Sequence, residues 1–147
     1  MKIVFANDHA GVELKKELIP FIESLGHEVI NIGTDTPDSV DYPDFGEKAA
    51  NMVASGEVDL GVLVCGTGVG ISLAANKVKG IRCGVCSEAT TAALIRMHNN
   101  ANMISMGARI VGPELAKDIV KAYLTAEFMG GRHQLRVDKI MAIEGRN

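Results

Sequence analysis

Apolar residues follow two patterns along the chain. Short runs rich in β-branched residues predict strands that are buried on both faces of a sheet. Five such runs are present, at residues 2–6, 28–32, 60–64, 81–86 and 103–106. Between and after them, apolar residues recur every three or four positions, which predicts helices. The predicted helices span residues 12–25, 44–54, 71–76, 88–97, 113–128 and 132–144.

Strands that alternate with helices through short connections predict a parallel sheet with helices on both faces. We therefore expect an α/β fold, a Rossmann-like three-layer sandwich with a five-stranded parallel sheet and an extra C-terminal helix. The 147 residues form one domain, 1–147, because the chain has room for one sizeable core. The last helix has no strand to return to, so packing on its own sheet and packing on a partner subunit both fit the sequence.

Composition and charge restrict the partners and the compartment. A net charge of -3 gives no general attraction to nucleic acid or to anionic lipid. Three cysteines argue against a disulfide framework and favour a reducing cytoplasm. The longest uncharged run, residues 60–76, is too short for a membrane span. We expect a cytoplasmic protein that binds neither nucleic acid nor membrane.

A glycine-rich turn follows the third predicted strand. Cys65 ends the strand, and Gly66, Gly68 and Gly70 then allow positive φ angles and a close approach to a ligand. The helix that starts there offers free N–H groups to an anion. Dinucleotide and P-loop sites are disfavoured, because Ile71 replaces the third glycine of G-x-G-x-x-G and no Gly-Lys-Ser/Thr follows.

Polar residues with useful chemistry follow several of the predicted strands. The carboxyl ends of parallel strands meet at one edge of a sheet, where open α/β folds bind ligands. We expect that edge to collect a thiol, two imidazoles, a carboxylate, a phenol and a guanidinium. The residues are Asp8, His9, Tyr42, Cys65, His98, Asn99 and Arg109.

Each of these residues also has a structural interpretation. A lone cysteine is more often an inert core residue, although the glycine turn favours a functional Cys65. Asp8 is as well explained as a helix cap, and Tyr42 as a loop anchor. Cys83 and Cys86 are three apart in a strand, so they point to opposite faces and are expected to be core residues rather than metal ligands.

A pair of arginines on the last helix is the best candidate for a phosphate clamp. Arg132 and Arg136 are four residues apart and therefore share a helix face. Two guanidinium groups side by side can bind a phosphate with forked hydrogen bonds. The alternative is a solvated basic face without a ligand.

Five motifs, in this order, resemble a known family. They are Asn7-Asp8-His9-Ala10-Gly11, Asp41-Tyr42-Pro43-Asp44, Cys65-Gly66-Thr67-Gly68-Val69-Gly70, His98-Asn99-Asn100-Ala101-Asn102 and Gly107-Ala108-Arg109. Together they are similar to the ribose-5-phosphate isomerase B family, within a wider group that includes isomerases for galactose 6-phosphate and allose 6-phosphate. The resemblance covers essentially the whole chain, and Val69 in place of a common isoleucine is a conservative difference.

The resemblance implies an aldose–ketose isomerase of pentose phosphate metabolism that works through a cis-enediolate without a metal or organic cofactor. It makes Cys65 the base that moves a proton between C2 and C1 of the sugar. A free thiol is mostly protonated at neutral pH, so Cys65 would need the helix start or a cation to act as a thiolate. His98 would open the furanose ring, with Asp8 and Tyr42 assisting or holding hydroxyl groups.

The remaining implied roles concern binding of the substrate. The Thr67 hydroxyl and the N–H groups of the turn would stabilise the enediolate oxygen, and the phosphate would lie among one histidine and three arginines. These groups are Gly66, Gly68, Val69 and Gly70 for the oxyanion, His9, Arg109, Arg132 and Arg136 for the phosphate, and Asn99 for the sugar. The family's site forms between two subunits, which implies a homodimer or a tetramer made of dimers.

Ribose 5-phosphate is therefore the expected substrate and ribulose 5-phosphate the expected product. Galactose 6-phosphate or allose 6-phosphate isomerase activity is an alternative within the family. An alternative of another class is a phosphosugar-binding module without catalysis.

Overall fold

The computed structural model describes residues 1–146, which form one α/β sandwich. All strand pairs are parallel. The strands are β1 (Lys2–Asn7), β2 (Glu28–Asn31), β3 (Leu60–Cys65), β4 (Cys83–Val85) and β5 (Met103–Gly107). The α-helices are α1 (Val12–Ser24), α2 (Tyr42–Ala54), α3 (Val69–Asn76), α4 (Ala89–Asn99), α5 (Pro113–Thr125) and α6 (Arg132–Glu144). The predicted five-stranded parallel sheet is confirmed.

The sheet has an apolar core on each face. In β1, Ile3 and Phe5 belong to one core and Val4 and Ala6 to the other, because successive side chains of a strand point to opposite faces. Helices α1, α4 and α5 cover the first core, and α2 and α3 cover the second. The predicted three-layer sandwich is thereby confirmed.

The order of the strands places the cleft. The sheet runs β2-β1-β3-β5-β4. Strand β2 therefore lies on one side of β1, and β3, β5 and β4 lie on the other. The gap between the carboxyl ends of β1 and β3 is therefore the topological switch point, where open α/β sheets bind ligands. Asn7 pairs with Val64 there, and Cys65 pairs with Gly107 of the next strand.

Several predicted boundaries differ from the structure. Helix α2 begins at Tyr42 rather than at residue 44, because Pro43 is well tolerated in the first turn of a helix. Helix α5 ends at Thr125 rather than near residue 128, and the backbone becomes extended at Ala126. Strand β4 covers only Cys83–Val85 of the predicted run 81–86.

The two cysteines of the C-x-x-C sequence belong to opposite cores, as predicted. Cys83 packs against the core under α2 and α3, and Cys86 is buried in the core under α1, α4 and α5. Burial raises the pKa of Cys83 to about 12 and that of Cys86 to about 11. Both thiols therefore stay neutral at ordinary pH.

The C-terminal helix packs on its own chain. It lies against α4, and the carboxylate of Glu144 accepts hydrogen bonds from the N–H of Gly80 at 3.0 and 3.1 Å. Its side chains Leu135, Ile140 and Ile143 are exposed.

Within residues 1–146, none of the helices combines the length and the apolar character that a membrane crossing requires.

Candidate active site

A cleft of about 270 Å³ lies at the switch point of the sheet. It combines residues that follow three different strands with one residue from the start of α2. Its lining consists of Asp8, His9, Ala10, Tyr42, Cys65, Gly66, Thr67, Gly70 and Arg109. The structure thus brings together the predicted thiol, carboxylate, phenol and guanidinium with one of the two predicted imidazoles.

Cys65 is the last residue of β3 and is almost completely buried, with 4% of its surface exposed. Its Sγ accepts a hydrogen bond from the backbone N–H of Gly68 at 3.2 Å. Such a bond is stronger when the acceptor carries a negative charge. The turn therefore holds the sulfur in place at the end of the strand.

The glycine turn is clamped against β5. Gly68 has a φ of 82°, and a Cβ at this position would lie 2.7 Å from the backbone carbonyl carbon of Met106. The Ser105 hydroxyl donates to the carbonyl oxygen of Gly68 at 2.7 Å. Thr67 Oγ1 accepts from the N–H of Val69 at 3.2 Å, at the first residue of α3. The backbone conformation and the close contact both require glycine at position 68.

Asp8 and His9 follow β1 and have fixed orientations. The Asp8 carboxylate accepts from the N–H of Ala10 at 2.9 Å, so the predicted cap exists, and the same residue lines the cleft. His9 Nδ1 accepts from the N–H of Val40 at 3.2 Å. When His9 is neutral, this bond places its ring proton on Nε2.

Gly66 and Gly70 allow two larger side chains to approach the turn. A Cβ at position 70 would lie 2.4 Å from Cε1 of Tyr42, and a Cβ at position 66 would lie 3.1 Å from a terminal guanidinium nitrogen of Arg109. The phenol and the guanidinium therefore lie directly over the turn. These contacts give both glycines a packing role that the sequence did not indicate.

The prediction that His98 and Asn99 share the cleft edge within one chain is wrong. Helix α4 starts at the carboxyl edge of the sheet and runs back, so its last turn lies at the amino edge. Two hydrogen bonds to residues at the starts of strands show this. Arg82, which directly precedes β4, donates from Nε to the carbonyl of Asn99 at 3.1 Å. The carbonyl of Asn102 accepts from the N–H of Gly61, the second residue of β3. His98 and Asn99 do not line the cleft that contains Cys65.

A second cluster forms between α4 and α6. The rings of His98 and His133 stack with centroids 4.3 Å apart and planes 7° from parallel. Arg132 and Arg136 are exposed on α6, the first directly next to His133. Burial lowers the pKa of His133 below its ordinary value, and the nearby His98, Arg132 and Arg136 lower it further. The structure therefore places three predicted site residues, His98, Arg132 and Arg136, away from the cleft of their own chain.

A match to a family model identifies the family. The model is described as Ribose/Galactose Isomerase and matches residues 3–140. The chain belongs to the ribose/galactose isomerase family. Ribose-5-phosphate isomerase B of Escherichia coli (strain K12) is 53% identical to it over 145 residues, which cover 99% of this chain and 97% of that protein.

Solved structures of the same family confirm the fold. Ribose-5-phosphate isomerase B of Clostridium thermocellum superposes with a TM-score of 0.97 at 53% identity, covering 99% of both chains. Ribose-5-phosphate isomerase B of Mycoplasma genitalium, with bound ribulose 5-phosphate, has a TM-score of 0.95 at 41% identity and covers 99% of this chain and 97% of that one. The family resemblance expected from the five motifs is confirmed.

Three residues that support the site of this ribose/galactose isomerase chain were not among the predicted ones. Ser105 holds the turn, Val40 orients His9, and the side-chain amide of Asn7 donates to the carbonyl groups of Asp8 and Thr34. Ser105 had a sequence signal, since it is the polar residue inside the apolar run 103–106. A backbone donor such as Val40 leaves no sequence signal.

Among residues 1–146, no group of three or more acidic, histidine or cysteine side chains is arranged to hold a metal ion.

Proposed function

We propose that this chain is an aldose–ketose isomerase that interconverts ribose 5-phosphate and ribulose 5-phosphate. One observation carries the proposal: Cys65 Sγ accepts from Gly68 N–H in a cleft that also contains Asp8, His9 and Tyr42. Relatives of the same family, covering nearly the full chain, are ribose-5-phosphate isomerases, and one was solved with ribulose 5-phosphate bound.

The isomerisation needs a base next to C2 of the open-chain sugar, and we assign this role to Cys65. Its thiolate removes the proton from C2, the electron pair forms the C1–C2 double bond, and the C1 carbonyl oxygen becomes the enediolate oxygen. The thiol then returns the proton to C1, while a proton moves from the C2 oxygen to the C1 oxygen. A base in this position accelerates such a step by roughly 10²–10⁴-fold.

The enediolate oxygen needs donors that are already in position. The N–H groups at the start of α3 have no partner within the helix, and the Thr67 hydroxyl lies in the cleft lining. Donors that face a developing oxyanion are commonly the largest single contribution to catalysis. We assign this role to the N–H groups of the turn from Gly66 to Gly70. Those of Gly68 and Val69 donate to Cys65 Sγ and Thr67 Oγ1 in the ligand-free chain, so they would have to share these acceptors with the oxyanion.

Ring opening precedes isomerisation and needs an acid and a base. We assign the proton transfer to the ring oxygen to His98, with Asp8 and Tyr42 assisting or holding the sugar hydroxyls. The bond between C1 and the ring oxygen breaks as the anomeric hydroxyl loses its proton. His98 lies outside the cleft of its own chain, so this assignment requires a second subunit.

We therefore propose a homodimer in which α6 and the last turn of α4 complete the partner's cleft. Asn99 would contact the sugar there, and Arg132 and Arg136 would bind the phosphate together with His9 and Arg109. Exposed apolar side chains support this arrangement. Val69 and Leu73 on α3 are 47% and 61% exposed beside the turn, and Leu135 on α6 is 60% exposed. Val69 and Leu73 are four residues apart and share one face of α3, and contiguous exposed apolar patches are typical of protein contacts.

The direct test is to incubate the purified protein with ribose 5-phosphate in D₂O and to follow the products by NMR. We expect ribulose 5-phosphate with deuterium at C1, because a proton held by the thiol exchanges with solvent before it returns. Binding without any turnover would contradict the enzyme function and favour a phosphosugar-binding module. Turnover without deuterium at C1 would show that the proton passes from C2 to C1 without exchange with solvent.

Galactose 6-phosphate is the second substrate to test, because the matching family model includes galactose isomerases. Allose 6-phosphate belongs in the same assay. A higher kcat/KM for either hexose phosphate than for ribose 5-phosphate would reassign the substrate.

We also propose that the protein works in the cytoplasm. All three cysteines are free in the structure. Thiols are kept reduced in that compartment.

A further inference from the structure

Lys15 is a buried cation that the proposed mechanism does not use. It lies on α1 and is 5% exposed, between the fully or largely buried Leu14 and Leu18. Taking an ammonium group out of water is costly, and an apolar residue at such a position is often neutral or stabilising. A buried lysine that is fully hydrogen-bonded therefore suggests a function other than core stability.

All three donors of the Lys15 ammonium are used within one short segment. Nζ donates to Asn31 Oδ1 at 3.3 Å, to the carbonyl oxygen of Thr34, and to Asp35 Oδ1 at 2.6 Å. The hydrogen bond from Lys15 is the main reason that the pKa of the exposed Asp35 carboxyl is lowered. These acceptors lie at the end of β2 and the start of the loop that leads to α2.

The loop of residues 32–41 is held at both of its ends. At its start, the Thr34 carbonyl that binds Lys15 also accepts from Asn7 Nδ2 at 3.0 Å, which ties it to the end of β1. At its end, the Val40 N–H donates to His9. Residues 36–39 between these points are exposed. Lys15 and His9 therefore hold opposite ends of the same short loop.

We propose that Lys15 is a positioning residue for the sugar-phosphate site. It anchors the loop that orients His9 through Val40 and delivers Tyr42 to the cleft. Lys15 itself does not line the cleft, so it acts through the loop rather than by contact with the substrate. This inference rests on the proposed function of the cleft.

The test compares Lys15→Met with Lys16→Met. Lys16 is its neighbour on α1, is 66% exposed and pairs only with Glu13 among the described residues, so its replacement removes the same charge without touching the loop. We expect Lys15→Met to raise KM for ribose 5-phosphate about tenfold, because small displacements of binding groups have large effects. Lys16→Met should stay close to wild type. Equal KM values in two folded variants would overturn the proposal.

A second measurement does not depend on turnover. In ¹⁵N NMR spectra of the ligand-free protein, neutral His9 should carry its proton on Nε2 in wild type and in Lys16→Met. In Lys15→Met the two tautomers should be mixed, because Val40 no longer holds Nδ1. A raised KM with an unchanged tautomer would contradict a route through the loop. If wild type lacked isomerase activity, the proposed function would fail while this spectrum still tested the anchor.

A double variant covers the case in which Lys15→Met does not fold. Asn31 and Asp35 are exposed, so Asn31→Ala with Asp35→Ala removes two of the three acceptors of Lys15 without opening the core. We expect a smaller rise in KM, about threefold, and the same change in the His9 tautomer. Wild-type KM and an unchanged tautomer in this variant would overturn the proposal.

Discussion

The Gly68 N–H donates to Cys65 Sγ at 3.2 Å, only three positions further along the chain. The strand presents the sulfur, and the turn that follows supplies the group that binds it. Because Gly68 is itself clamped by Ser105 and Met106 of β5, the position of the sulfur depends on the sheet. The reactive group and the proposed oxyanion donors are therefore parts of one rigid unit.

Replacement of the thiol tests its role as the base. Cys65→Ala should lower kcat by about 10²–10⁴-fold, while calorimetry should still detect binding of ribose 5-phosphate, because the phosphate is bound by other groups. Cys83→Ala is the matched control, since Cys83 packs against the same core as Cys65 but does not line the cleft. A Cys65→Ala variant with wild-type kcat would remove the thiol from the mechanism.

Addition of a methyl group to the turn tests the clamp. Gly68 and Gly56 have similar positive φ angles, 82° and 79°, but a Cβ at position 56 would meet nothing within 4 Å. Gly56→Ala should therefore show only the backbone cost, about 1–2 kcal/mol in the free energy of unfolding. Gly68→Ala should lose more stability in urea denaturation and should also lose activity. Equal losses of stability would show that the contact with Met106 adds no strain.

Arg136 should matter for the phosphate and not for the sugar. Arg136→Ala should raise KM for ribose 5-phosphate about tenfold or more, since a hydrogen bond to a charged group contributes roughly 1.5–3 kcal/mol. KM for unphosphorylated ribose should change little. Lys139→Ala, also exposed on α6, is the control for a general loss of charge. Equal effects on both substrates would assign Arg136 to a solvated basic face.

Mixed subunits test whether the site is shared. Cys65→Ala and Arg132→Ala chains should each be weakly active alone, and a mixture that has exchanged subunits should regain activity. In half of the sites of a mixed dimer, an intact Cys65 would meet an intact Arg132. Subunit exchange can be followed by mass spectrometry of differently tagged chains. Demonstrated exchange without recovery would show that both residues serve the same chain's cleft.

Stability should decrease in mild acid because of His133. Burial and nearby positive groups lower its pKa in the folded protein, so the unfolded chain takes up the proton first as the pH falls below about 6.5. The contribution of neutral His133 is present above that pH and is lost as the pH falls through the folded-state pKa. Urea denaturation at pH 7 and pH 5 should show that the free energy of unfolding decreases less for His133→Gln than for wild type.

His27 provides the comparison for this experiment. Its pKa is also lowered, by burial and by the N-terminal amine, but its ring contacts the amine of Met1 and is not part of the His98–His133 stack. His27→Gln should also make the loss of unfolding free energy between pH 7 and pH 5 smaller, by an amount that does not depend on His133. If His133→Gln had the same pH dependence as wild type, the stack would not contribute to acid sensitivity.

Local patterns predicted the elements of the fold. Each of the five strands and six helices lies within or close to its predicted range, because apolar periodicity and glycine or proline positions act over a few residues. The errors occur at boundaries such as Tyr42 and Thr125, where packing decides whether one more turn forms. The glycine turn was also predictable, since positive φ at Gly68 is a local requirement.

The sequence by itself determined which residue types are available and which of them follow a strand, and this was enough to predict Asp8, Cys65 and Arg109 at one cleft. Only the tertiary structure decided the strand order, the clamp of Ser105 on Gly68, and the anchoring of the loop by Lys15. It also placed His98 at the opposite edge, because a helix that connects parallel strands must run back across the sheet. These features depend on contacts between residues that are distant in the chain, and a local pattern carries no information about them.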